Sequence, residues 1–292
     1  MAESQEKLAG LVPSWVLALR AAGKSPATVD QYEISVRVFL RWCADSGVPA
    51  VLDRRTVTAF LASLPSPGTT YVRQVALKQF SRWLAAEGEI DADLLTGLTL
   101  PKVPAKAANP LTDDELAALF KACRGNTFRD RRDEAMARIL AETGLRASEL
   151  LGLSVDDVDL SRGLAQVRRG KGGRGRVVPF GQKTAHSIDR YMRARRELKA
   201  SQLWLSESGK PLAYAGVNRA LGKRAADAGI QRFHLHLLRH TMATRWLAAE
   251  GTEGGLMAVA GWRRREMLDR YVAATASDRA AAEAKRLALG EL

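Results

Sequence analysis

The chain has 292 residues, and its 45 Lys+Arg against 32 Asp+Glu leave a net charge of +13 and a sequence pI near 10.1. That balance points to a polyanionic partner, nucleic acid first, and the length accommodates two moderate cores better than one. No run of 18 uninterrupted apolar residues occurs, the N-terminus lacks a charged-then-apolar leader pattern, and the two cysteines are far apart, so a membrane span, a secretory signal and a disulfide framework are not expected. A reduced, cytoplasmic, nucleoid-associated protein is the expectation.

Residues 8–22 read as a short helix with Trp15 and Leu19 on one side, stopped by Gly23. Ser25-Pro26 then opens a second helix, Ser as N-cap and Pro at the first helical position. Val29, Tyr32, Val36, Phe39, Leu40 and Cys43 follow its 3.6-residue period. A third helix over about 54–64 starts at Asp53. A fourth over about 68–87 turns Tyr71, Val75, Phe80, Trp83 and Leu84 inward, and Gly88 ends it. Four helices in under a hundred residues form a bundle, and its basic residues, among them Lys24, Arg37, Arg41, Arg73 and Lys78, are candidates to line a DNA backbone. Taken one at a time, each reads first as a solvated surface charge.

Residues 101–110, PKVPAKAANP, have three prolines and no periodicity, which marks a linker. Beyond it, Thr112 to Glu115 is a capping box for a helix to about Cys123. Another helix runs over about 130–143 and stops at Gly144. Arg146 follows, just ahead of a short helix with Glu149 three residues on, the natural acidic partner for a buried Arg. Strand signals are confined to 157–180: Leu164–Arg168 alternates, Gly170–Gly175 is a glycine-rich turn carrying Lys171 and Arg174, and Arg176–Phe180 returns as a hairpin. The loop has no GK[ST] and is not followed by a helix, so it is not a Walker phosphate loop. A flexible basic hairpin of this kind can deliver Lys171 and Arg174 to a DNA groove; the competing reading is an exposed turn. Helices over 182–200 and 214–228 come next, and Leu203–Leu205 reads as a short strand.

The chain is organised around 233–271. Three of its four histidines, His234, His236 and His240, fall within seven residues. On a helix over about 235–249, His236, Arg239 and His240 share a face. Tyr271 comes 32 residues after Arg239, past an Arg-rich turn and a short helical run. Three readings compete. One is a core helix with incidental histidines. A second is a metal pair, since His236 and His240 are four apart, but no acidic third ligand is near in sequence. The third is phosphoryl transfer by tyrosine, which needs cationic donors around the non-bridging oxygens, where charge builds in the transition state. Arginine suits that task because its planar fork holds two oxygens at once.

Taken together, Arg146 in GLRASEL, Lys171 in the hairpin, His236-x-x-Arg239, Trp262 in AGW and Tyr271 resemble the tyrosine recombinase, or phage integrase, family over about residues 10–275. Trp262 and Tyr271 are nine apart, as the family's last donor and its nucleophile are. The departure is Trp262 itself, where many members carry His; Trp keeps an N–H donor but is neither acid nor base. The resemblance implies a mainly α fold with a small antiparallel β-sheet. Its parts are an N-terminal four-helix core-binding (SAM-like) domain over 1–100, the linker 101–110, a catalytic domain over 111–275 and a tail over 276–292 for protomer–protomer contact. It implies Tyr271 as nucleophile, Arg146 and Arg239 on the phosphate, His236 and Trp262 as added donors, and Lys171 as general acid. Glu149 supports Arg146, and His240 either orients His236 or packs. No cofactor or metal is implied. The partners implied are double-stranded DNA attachment sites, a homo-tetramer on DNA formed from monomers, and a host DNA-bending protein. The bundle begins almost at once, so an arm-binding domain is not expected. Phage or mobile-element integration leads the readings, with a Xer-like resolvase, a type IB-like topoisomerase and a non-catalytic DNA-binding regulator as alternatives.

Overall fold

The computed structural model describes residues 2–103, 109–168, 175–195, 197–198 and 200–287. It is mainly helical, with one small antiparallel sheet, and the chain divides into two compact units, 1–105 and 106–292. Lys171, Arg174 and the turn that carries them lie outside the described residues. Among the described residues no helix is long and apolar enough to cross a membrane.

The first unit holds four helices: α1 (Ala2–Ala21), α2 (Pro26–Asp45), α3 (Arg54–Ala62) and α4 (Pro67–Ala86). Helices α2, α3 and α4 each start at a side-chain cap that accepts a backbone N–H three residues on: Ser25, Asp53 and Ser66. Trp15, Phe39, Phe60 and Phe80 fill the core, with Trp15 tilted against Phe80 at 4.8 Å and Phe39 edge-on to Phe60 at 5.3 Å. The inward face of α4 differs from the sequence expectation. Tyr71 is 40% exposed and Val75 half-buried, while Gln74, Leu77, Phe80, Ser81 and Leu84 are buried. A buried Gln is tolerated because its Nε2 donates to the Thr99 carbonyl at 2.9 Å.

The second unit begins with α5 (Asp113–Ala122), which has the expected capping box, and α6 (Phe128–Thr143). Helix α6 ends where Gly144 adopts a left-handed φ of 61°. The chain turns at once into α7 (Ala147–Leu151), with Arg146 at its N-cap. The sheet follows, in the order β1 (Val158–Asp159), β2 (Leu164–Val167), β3 (Arg176–Pro179). Leu164 pairs with Pro179 and Val167 with Arg176, an antiparallel register. β1 was not anticipated; two residues are too few to show a period. The segment 203–205 is not a strand but makes a single bridge, Leu205 to Pro211. Helices α8 (Gln182–Arg195), α9 (Tyr214–Asp227), α10 (Leu235–Ala248), α11 (Glu253–Ala260) and α12 (Glu266–Leu287) complete the unit.

One core cluster joins α5 to α10 around Leu119, Met136, Leu140, Leu150, Ile188, Tyr191, Trp204 and Leu238. A smaller one packs α10, α11 and α12 through Met242, Leu247, Leu256, Ala260, Trp262, Leu268 and Tyr271. Helix α12 runs unbroken across the expected boundary at 275/276, so Tyr271 and the alanine-rich tail share one helix. Cys43 and Cys123 are free, buried thiols in separate units, and burial pushes them up to about 11 and about 12.

Gly144 is where backbone conformation and site meet. A Cβ there would lie 2.2 Å from Met242 Cε, and a left-handed residue with a side chain costs about 1–2 kcal/mol. Gly144→Ala is therefore expected to lower stability by about that amount, read as a shift of the urea midpoint; an unchanged midpoint would show that the turn does not constrain the fold.

Candidate active site

Glu149 is the hub. It is 4% exposed, the third residue of α7, and all its acceptor capacity is in use. Oε2 accepts the Arg146 backbone N–H at 2.9 Å, closing the cap of α7, and Oε1 accepts Arg146 Nη1 at 2.8 Å. The sequence-expected pairing of these two residues is thus present, and it is doubled. Arg176, at the start of β3, donates Nη1 to Oε1 and Nη2 to Oε2, each at 2.9 Å. Burial alone would raise the Glu149 carboxyl; the Arg176 hydrogen bonds, the Arg146 N–H and both positive charges outweigh it and hold the group down to about 2.

Arg239 lies on the buried face of α10 and is 2% exposed. Its Nη1 donates to the Gly144 carbonyl at 2.5 Å and its Nη2 to the Ala260 carbonyl at 2.6 Å. Those acceptors are the turn after α6 and the end of α11, so three elements fix one guanidinium. Burial, and next the neighbouring Arg146 charge, pull Arg239 down to about 10, which leaves it protonated at neutral pH. Its guanidinium carbon sits 5.3 Å from the Trp262 ring centroid, a cation–π distance.

Trp262 follows Gly261, the left-handed cap of α11 (φ 64°), and is 6% exposed. It stacks on Tyr271, with centroids 5.1 Å apart and planes 18° apart. A stack of this kind contributes about 0.5–1.5 kcal/mol beyond area burial. The Trp262 indole N–H is buried and has no hydrogen-bond partner among the described residues. A buried orphan donor costs about 1–3 kcal/mol, so its presence marks a place where an acceptor is expected.

Tyr271, on the second turn of α12, is 3% exposed, and its hydroxyl is hydrogen-bonded to His240 Nδ1. The His236 and His240 rings meet edge to face at 4.6 Å, and His240 lies 5.4 Å from the Tyr271 ring. His236 is exposed and His240 half-buried. His240, one turn beyond His236 on α10, thus meets the phenol. Among the described residues no group of three or more His, Cys, Asp or Glu side chains is placed to hold a metal.

Arg146, Glu149, His236, Arg239, His240, Trp262 and Tyr271, 125 residues apart at the extremes, thus lie close together. Sequence reasoning missed Arg176. The signal was present: with a period of two, Arg176 faces the same side as Val178, which is fully buried. An arginine on the inner face of a strand requires an acid. It also missed α11, although Thr252 and Gly261 are clear start and stop residues for it.

Of the basic residues singled out in the first unit, Lys24 and Arg41 are exposed. Arg37 is exposed and pairs with Glu33 at 2.8 Å. Arg73 and Lys78 are turned inward instead: Arg73 donates to Ser35 Oγ at 3.0 Å and Lys78 to the Leu98 carbonyl at 2.8 Å. These two help hold the bundle.

The depressed Glu149 carboxyl has a pH signature. A group held low in the fold contributes stability that is complete above its ordinary value of 4.5 and is lost as pH falls through about 2. Acid titration of unfolding should show this component in the native chain and a flatter profile between those limits in Glu149→Gln; superimposable profiles would contradict the assignment of the ion pairs.

Comparison with known proteins bears on this arrangement. A family profile described as the phage integrase family matches residues 109–278. Similar proteins include tyrosine recombinase XerC 2 of Ralstonia nicotianae, 34% identical over 262 residues, which span 84% of this chain and 76% of that one. Tyrosine recombinase XerC of Pseudomonas fluorescens is 30% identical over 234 residues, spanning 76% and 77%. Among solved structures, XerH bound to a palindromic difH substrate in a post-cleavage complex superimposes with a TM-score of 0.72 at 17% identity, covering 97% of this chain and 85% of that one. A lambda integrase (75–356) dimer bound to a COC' core site gives 0.70 at 17%, covering 90% and 94%. At such identities the structural likeness concerns the fold.

Proposed function

The chain belongs to the phage integrase family, the tyrosine recombinases, and on that premise we propose that it breaks and rejoins double-stranded DNA at specific sites through Tyr271. The observation that carries this reading is the continuous contact from His240 through Tyr271 and Trp262 to Arg239, beside the Arg146–Glu149 pair. A phenol with an ordinary pKa near 10 is a poor nucleophile, and a cationic pocket favours its anion.

In the proposed reaction Tyr271 Oη attacks the scissile phosphorus. The bond to the 5′-oxygen breaks and a 3′-phosphotyrosine forms. Arg146 and Arg239 hold the non-bridging oxygens, with the Trp262 N–H and His236 as further donors. The phenolic proton passes to His240, its hydrogen-bond partner, and Lys171 protonates the departing 5′-oxygen. The protein–DNA ester keeps the energy of the phosphodiester, so a 5′-hydroxyl reverses the step without an external energy source. The exposed Lys24, Arg37 and Arg41 of the first unit are proposed to meet a DNA backbone, as is Arg174 of the second.

The relatives named XerC support a Xer-like resolvase, and the match to the phage integrase family profile keeps integration of a phage or mobile element as the second reading. Either role joins two duplexes through four protomers. The exposed side chains at 280, 281 and 283–287 of α12 support a protomer contact there. Deleting 278–292 should then abolish synapsis while leaving cleavage of a single site intact; unimpaired synapsis would remove the tail from the assembly.

The decisive test is covalent trapping. Wild-type protein should form an SDS-resistant adduct with genomic DNA, and Tyr271→Phe should bind DNA yet form none. An adduct in the variant would exclude Tyr271 as nucleophile. Sequencing the trapped DNA gives the site: one chromosomal locus favours the resolvase, and the ends of an element favour the integrase. A nicked duplex bearing that site then serves as a single-turnover substrate.

A further inference from the structure

Glu149 accepts four hydrogen bonds, and two come from Arg176. Arg176 does more than balance charge. Its Nε donates to the Val259 carbonyl at 2.7 Å, while Arg239 Nη2 takes the adjacent Ala260 carbonyl. The last carbonyls of a helix lack intrahelical partners and carry its negative end. The C-terminus of α11 therefore grips two guanidiniums side by side and sets the position from which Trp262 departs. Gly261 makes room for this: a Cβ there would lie 3.0–3.2 Å from Nη1, Cζ and Nε of Arg176. Arg176 is thus packed between Glu149 and the end of α11, although its 27-residue separation from Glu149 and 83-residue separation from Val259 hide this in the sequence.

The geometry assigns Arg176 as a positioning residue for the phosphate site, one that acts by limiting how Glu149 holds Arg146. With Arg176 in place, one acceptor position on each Glu149 oxygen is taken. Arg146 is left with one side-chain bond, through Nη1, and the remaining N–H groups of its fork stay available for a phosphate oxygen. Without Arg176, both carboxylate oxygens are free to take Arg146 as a two-bond fork, the arrangement Arg and carboxylate prefer. Arg146 would then be turned to Glu149 and away from DNA. This inference rests on the reading of Arg146 as a phosphate ligand.

The test measures single-turnover adduct formation by the full chain on the nicked duplex, made with either the natural scissile phosphodiester or a methylphosphonate. The methylphosphonate lacks one negative oxygen and so depends less on a guanidinium. Arg176→Gln should slow adduct formation on the phosphodiester by about 10- to 100-fold, the range that loss of a ligand-orienting partner costs at metal sites. On the methylphosphonate the loss should shrink to a few-fold. Adding Glu149→Gln to Arg176→Gln should restore part of the rate, because the competing carboxylate is gone. Arg176→Lys, which keeps charge but not the fork, should be impaired in the same substrate-dependent way and serves if the Gln variant folds poorly. Equal losses on both substrates, a double variant slower than the single, or wild-type rates in Arg176→Gln would each overturn the proposal while Tyr271-dependent trapping still stands. Absence of any Tyr271-dependent adduct with the wild type would instead remove the underlying functional reading.

Discussion

Three guanidiniums, those of Arg146, Arg176 and Arg239, sit close enough for their charges to oppose one another; Arg239 is nearly shut off from water and the other two are half-buried. That is the constraint the second unit is built to satisfy. Buried like charges cost several kcal/mol unless paired, and here the compensation is uneven. One carboxylate serves Arg146 and Arg176. Arg239 has no carboxylate bound to it in the described contacts and relies on the carbonyls of Gly144 and Ala260. The group of four side chains keeps an excess of positive charge, which a protein built for stability alone has no reason to concentrate. That excess is what the proposed DNA phosphate would meet, and the orphan N–H of Trp262 lies in the same neighbourhood.

The turn geometry follows from that constraint. Gly144 and Gly261 both adopt left-handed backbone, one ending α6 and the other ending α11. Each leaves the carbonyls at its helix end to a guanidinium rather than to water. The carbonyls left over where these helices end are the acceptors that aim the cations, which ties helix termination in this unit to the site.

Much of this was legible in the sequence, and the division has a physical cause. Arg146 and Glu149 are three apart on one short helix, and His236, Arg239 and His240 share one face of another, so local periodicity shows them. Helix starts at Ser25, Asp53 and Thr112 were legible because a cap is a local hydrogen bond. What escaped is tertiary. Arg176 looked like a strand residue after a basic turn because its partners are far along the chain. Helix α11 is short, with two glycines and an apolar body, and gives no amphipathic period. Tyr71 was placed inward by its hydrophobicity, while Gln74 took that face because two carbonyls of the 98–99 segment reach its amide. The role of His240 could not be separated from packing until Tyr271 was seen against it.

Helix α12 carries one more implication. Its 22 residues make a rod about 33 Å long, with the phenol on the sixth residue from the near end. Between Tyr271 and Leu287 there is no proline or glycine to act as a joint. Tension or rotation applied at the far end is therefore transmitted to the aromatic ring as a lever transmits it to its fulcrum, and the phenol cannot be steered independently of whatever grips the last turns.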